Sequence, residues 1–88
     1  MSIIHPGLFL VMQRFPHKKD MLRHMYLTSQ TFQAFCDDYQ KCMDALEYWT
    51  QADHEEAEKR SREYRELREN LESEIMEIIN GDEKRMEK

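Results

Sequence analysis

The run from Phe32 to Trp49 constrains the fold more than any other part of the chain. Phe32, Phe35, Tyr39, Cys42, Leu46 and Trp49 recur at steps of three, four, three, four and three. On a helix these positions fall on one narrow stripe, with Gln33, Asp37, Asp38, Gln40, Lys41, Asp44 and Glu47 on the flanks and the solvent face. An a/d seam of this kind demands a partner helix.

A second stripe supplies one. From Glu55 to Ile79 the chain is strongly charged, and Ala57, Tyr64, Leu67, Leu71, Ile75 and Ile78 mark its apolar side. Glu55 with Lys59, Glu56 with Arg60 and Glu58 with Arg62 stand at i,i+4 in the favourable order. Between the stripes, Thr50 to His54 has no apolar side and reads as a turn. Folding one helix back on the other sets Trp49 opposite Ala57, Leu46 opposite Ser61 and Cys42 opposite Tyr64. The same register sets Tyr39 opposite Leu67, Phe35 opposite Leu71 and Phe32 opposite Ile75. Bulky residues meet small ones near the turn, the complementarity that an antiparallel pair requires. The expected fold is therefore all-α, a coiled-coil-like antiparallel helical hairpin with helices over about 17–51 and 55–79 and a turn near 51–54.

Composition agrees with long helices. There are two Gly and two Pro against 35% charged residues, and strand patterns are missing. A hairpin domain over 16–80 buries little by itself, and burial at about 25 cal/mol per Å² barely offsets chain entropy. Association into a homodimer or higher helical bundle is the expected remedy. A staple is not, since Cys36 and Cys42 lie on one helix about 240° apart around its axis. Two thiols suit a reducing, cytoplasmic setting.

Residues 1–15 form a short apolar N-terminal arm or helix, with Ile3, Ile4, Leu8, Phe9, Leu10, Val11, Met12 and Phe15, expected to pack on the helices or on a neighbouring subunit. Pro6 suits the first turn of a helix that starts after His5. The run from Leu8 to Met12 is too short for a signal-peptide core or for the roughly 20 residues that span a bilayer. Phe15-Pro16 breaks the chain and opens the next helix, where Met21, Leu22, Met25 and Tyr26 give a stripe. Thr28 to Thr31 weakens that helix. Thr28 or Ser29 is placed to cap a new one, and both a bend and a restart fit the residues. Asn80-Gly81 is a candidate C-cap, with 81–88 a frayed tail.

Phe15-Pro16, Leu22, Phe32, Phe35, Leu46 and the run Leu71-Glu72-Ser73-Glu74-Ile75-Met76-Glu77-Ile78 resemble the YdcH-like family of small bacterial proteins. In that pattern a Phe-Pro opens the first helix, and a Leu-x-x-Glu-Ile run closes the second. The resemblance covers roughly Phe15 to Ile79 and implies a helical hairpin without assigned catalytic residues. The apolar arm before Phe15 and the Glu/Arg-rich second helix depart from the pattern.

The chemistry-bearing residues do not cluster by spacing. His5, His17, His24 and His54 lack His-x-x-x-His and Glu-x-x-His partners, the residues three before each being Ser2, Arg14, Met21 and Gln51. Cys42 sits in the seam, and Cys36 is followed by Asp37 and Asp38, whose charge opposes a thiolate. Adjacent acids such as Asp37-Asp38 and Glu55-Glu56 point about 100° apart on a helix and do not converge. No Gly-rich phosphate loop is present. A net charge of −5 and a pI of 5.3 argue against a nucleic-acid partner. The expected role is thus a non-enzymatic interaction or assembly protein without cofactor or metal, self-associating through its hairpin. The alternative is an adaptor that docks its N-terminal arm on a larger protein or membrane surface. Candidate interaction residues are Leu8, Phe9, Val11, Met12 and Phe15 of the arm, with Met43 and Tyr48 on the outer flank of the seam.

Overall fold

The computed structural model describes residues 5–86, with side chains for 5–81. Ile3 and Ile4 of the expected arm, and residues 87–88 of the expected tail, lie outside the described residues. The architecture is all-α: α1 is Pro6–Arg14, α2 Lys19–Thr28, α3 Gln30–Gln51 and α4 Ala57–Met86, with one 3-10 turn, Pro16–Lys18, between α1 and α2. No strand occurs among the described residues, and no helix is long and apolar enough to cross a membrane. Two compact units divide the chain, Met1–Asp44 and Ala45–Lys88.

In the first unit, α1 begins where Pro6 takes the first helical position and His5 caps it, Nδ1 of His5 accepting from the Gly7 amide at 3.0 Å. It ends at Phe15, whose non-helical backbone is what a following proline imposes. The long first helix expected over 17–51 is interrupted at Ser29, which is extended at φ −133 and ψ 115. The physical reason is local. Ser29 Oγ accepts from the Phe32 amide at 3.1 Å, and the Gln33 side chain donates to the Tyr26 carbonyl at 2.7 Å. One orphaned amide at the start of α3 and one orphaned carbonyl at the end of α2 are thereby satisfied, and the chain restarts as α3. Leu8, Val11 and Met12 of α1, Leu22 and Met25 of α2, and Phe32, Cys36, Tyr39 and Cys42 of α3 are buried. Each full burial of this kind contributes about 1.5–3 kcal/mol before entropy is counted.

The seam of α3 is accordingly broader than expected. Phe35 and Trp49 are only half-buried, while Cys36 is fully buried. The cause is α1: Gly7 lies against the Cys36 backbone, on the side of α3 that the stripe left as flank.

The second unit holds the end of α3, the turn at 52–56 and α4. His54 opens α4 much as His5 opens α1, its Nδ1 accepting from the Glu56 amide at 3.1 Å and its carbonyl from the Ala57 amide at 3.0 Å. The indole of Trp49 meets the His54 ring edge-on at 6.2 Å. Leu46, Ser61, Leu71, Ile75 and Ile79 are buried. Ile79 takes the place expected of Ile78, because a straight helix of 3.6 residues per turn drifts away from a heptad over this length. The C-cap expected at Asn80-Gly81 does not form. Gly81 has no left-handed φ, and α4 runs through it to Met86. On the solvent side Arg60 pairs with Glu56 at 3.6 Å and Glu63 at 3.2 Å, and Arg62 with Glu58 at 3.6 Å, each contributing a few tenths of a kcal/mol.

Candidate functional site

A polar cluster closes α1 onto the rest of the first unit. His5 accepts at Nδ1, so its proton sits on Nε2, which donates to the Asp37 carboxylate at 2.8 Å. The His5 ring also lies 5.5 Å from the ring of Tyr26. Beside Asp37, burial first and the neighbouring carboxylate second push the Cys36 thiol up from 9.0 to about 12. Partial desolvation, then Asp37 and Cys36, raise the Tyr26 phenol as well. A nucleophilic cysteine needs an accessible thiolate, and this site opposes both the charge and the access. The cluster positions α1. Neither Cys36 nor Cys42 is in a disulfide, and no group of three His, Cys, Asp or Glu able to hold a metal occurs among the described residues.

The outer side of the same unit carries a groove of about 620 Å³. Phe9, Met12 and Gln13 line it from α1, Pro16 from the 3-10 turn, and Lys19 and Arg23 from α2. Spacing explains the lining. Phe9, Met12 and Gln13 are i, i+3 and i+4, whereas Lys19 and Arg23 are i and i+4, so each set shares a helix face. Apolar atoms make the floor and two cations one wall. Phe9 is 47% exposed although its neighbour Leu8 is buried.

The candidate interaction residues part company. Leu8, Val11 and Met12 are buried, Phe15 and Met43 are half-buried, and Phe9 and Tyr48 are exposed, Tyr48 at 64%. The Arg14 guanidinium lies 5.2 Å above the Phe15 ring. Structure adds Leu27 on α2 and Leu67, Met76 and Ile78 on α4 as exposed apolar side chains. Periodicity places Leu67 and Ile78 on the inward stripe, where the structure leaves them exposed, and leaves Leu27 outside any stripe, in keeping with its exposure. Lys19 and Arg23 carried a signal, an i,i+4 basic pair one turn beyond a proline break, whose relation to Phe9 depends on the packing of α1. Set beside family models, curated proteins and solved structures, the chain finds no match.

Proposed function

We propose that this chain is a helical interaction protein in which α3 and α4 pair as an antiparallel hairpin and hairpins associate into a homodimer or higher bundle. The likeness to the YdcH-like pattern belongs to the same proposal. The observation that carries it is the exposure of large apolar side chains on the second unit, Tyr48, Leu67, Met76 and Ile78, of which Leu67 and Ile78 stand within about 20° of each other around α4. Exposed apolar side chains that share one helix face, as Leu67 and Ile78 do, form the kind of patch that marks an association surface. Sedimentation velocity of the full chain at micromolar concentration is expected to give at least two protomers. Leu67→Glu with Ile78→Glu is expected to shift it to monomer without loss of helicity by circular dichroism. A wild-type chain that is folded and monomeric at that concentration would refute the reading.

A second reading has an observation of its own. Phe9 stands exposed in the groove between α1 and α2, as an anchor for docking on another molecule would. In that reading the N-terminal part makes the protein an adaptor or regulator. Phe9→Ser is expected to leave the self-association of the second unit unchanged while weakening capture of the docked partner.

A further inference from the structure

We propose that the groove between α1 and α2 takes an acidic amphipathic helix of a partner protein. The inference rests on the docking reading of Phe9 and assigns the chemistry of what docks. Three observations carry it.

Shape comes first. The groove runs between two helices, with Phe9, Met12 and Pro16 apolar, and it offers about 620 Å³. A cavity of about 150 Å³ admits one benzene ring, so this space takes roughly four such groups. That matches the i, i+3/i+4, i+7 anchors of a helix laid in a groove.

Charge comes second. Arg23 is half-exposed, and among the described residues its carboxylate partner is Asp20 at 3.8 Å, too long for a hydrogen bond. Lys19 has no carboxylate partner among the described residues. Both ammonium and guanidinium groups are therefore available to carboxylates one helical turn apart on the docked helix.

Distribution comes third. Residues 1–31 hold four Lys or Arg against one Asp, whereas residues 32–88 hold nine against seventeen Asp or Glu. The compact unit that holds the groove, residues 1–44, carries five Lys or Arg against four Asp, whereas residues 45–88 carry eight against fourteen Asp or Glu, so an anionic helix is repelled less at this end. A bilayer suits the feature less well. The apolar groups line a concave floor, with Met12 itself buried, whereas a membrane takes up a protruding apolar face backed by a broad basic one.

The test titrates the full chain against a labelled synthetic helix with Leu and Phe anchors at i, i+4 and i+7 and Glu on both flanks, read by fluorescence anisotropy. The same peptide with Gln for every Glu, and mixed phosphatidylcholine/phosphatidylserine vesicles, serve as further probes. Binding of the Glu peptide is expected to weaken at least about tenfold in Lys19→Glu/Arg23→Glu and in Phe9→Ser, and to fall with added salt. The charge pair is exposed, so circular dichroism of the double variant should match wild type. Equal binding of the Glu and Gln peptides overturns the acidic class while leaving the docking reading standing. No binding of either peptide overturns both. Phe9-dependent capture by vesicles without peptide binding assigns the groove to a membrane. Dissociation of self-assembled protein by Lys19→Glu/Arg23→Glu, without added peptide, assigns it to a second copy. Either of these last two results also overturns the proposal.

Discussion

Gly7 lies against the backbone of Cys36, so closely that a Cβ at position 7 would come within 2.7 Å of the Cys36 carbonyl carbon and nearer still to its oxygen. The obstacle is backbone, which cannot swing aside as a side-chain tip can. Gly7→Ala should therefore cost about 1–3 kcal/mol by forcing α1 off α3. Gly81 is the control. It is helical, and a Cβ there would meet nothing within 4 Å. Gly81→Ala should stabilise by about 0.5–1 kcal/mol. Urea melts of the two variants should move in opposite directions.

His5 holds the start of α1 twice, through the Gly7 amide and through Asp37. Loss of the cap in His5→Ala should cost about 1 kcal/mol. The Asp37 pair is partly exposed and adds only a few tenths of a kcal/mol. Hydrogen exchange of the Gly7 amide should speed up in His5→Ala and stay close to wild type in Asp37→Asn. Unchanged exchange in His5→Ala would show that the imidazole is not the cap.

Two hydroxyls at the α2–α3 junction do different work. Ser29 Oγ accepts from the Phe32 amide, while Thr28 Oγ1 donates to the His24 carbonyl one turn back. Ser29→Ala should cost about 1 kcal/mol, and Thr28→Ala should fall within about 0.5 kcal/mol of wild type. Equal losses in equilibrium unfolding would contradict the assignment of Ser29 as the cap of α3.

Cys36 makes stability fall in alkali. Its thiol is raised from 9.0 to about 12 in the folded chain, so the folded state keeps a proton that the unfolded state gives up. The contribution is complete below about pH 9 and declines as pH rises toward about 12. Tyr26, raised as well, acts in the same sense. Urea midpoints at about pH 8 and about pH 10 should differ less in Cys36→Ala than in wild type. An identical drop in both would remove Cys36 from the account. In native protein the thiol should react with a disulfide reagent far more slowly than in urea.

The ring positions of α3 are unequal. Phe32 is 2% exposed and Phe35 half-buried, their rings stacked at 6.4 Å. Phe32→Ala should cost about 3–5 kcal/mol and Phe35→Ala distinctly less. The reverse order in thermal or chemical denaturation would restore Phe35 to the centre of the seam.

Sequence alone determined the helical character of the chain, the break at Phe15-Pro16, the weak point at Thr28 to Thr31 and the turn after Trp49. These rest on local physics, namely proline sterics, capping hydroxyls and apolar periodicity, which neighbours along the chain settle among themselves. Periodicity also placed Phe32, Tyr39, Cys42, Leu46, Leu71 and Ile75 inside, where the structure buries all six. It did not foresee that Cys36 goes deeper than Phe35, that Ile79 takes the place of Ile78, or that the helix ignores Asn80-Gly81. Packing of the arm on the helices is the reading its apolar residues favour, but they do not say which go in: the structure buries Leu8, Val11 and Met12 and leaves Phe9 exposed beside Lys19 and Arg23. Ile79 follows from the drift of a straight helix, whereas the depth of Cys36 and the division of α1 into buried and exposed residues depend on where α1 lands. That place is set by the missing Cβ of Gly7 against the Cys36 carbonyl and by the reach of His5 to Asp37, two contacts between residues about thirty positions apart. A stripe says which side of a helix is apolar, and only the packed neighbour decides how wide the buried side becomes.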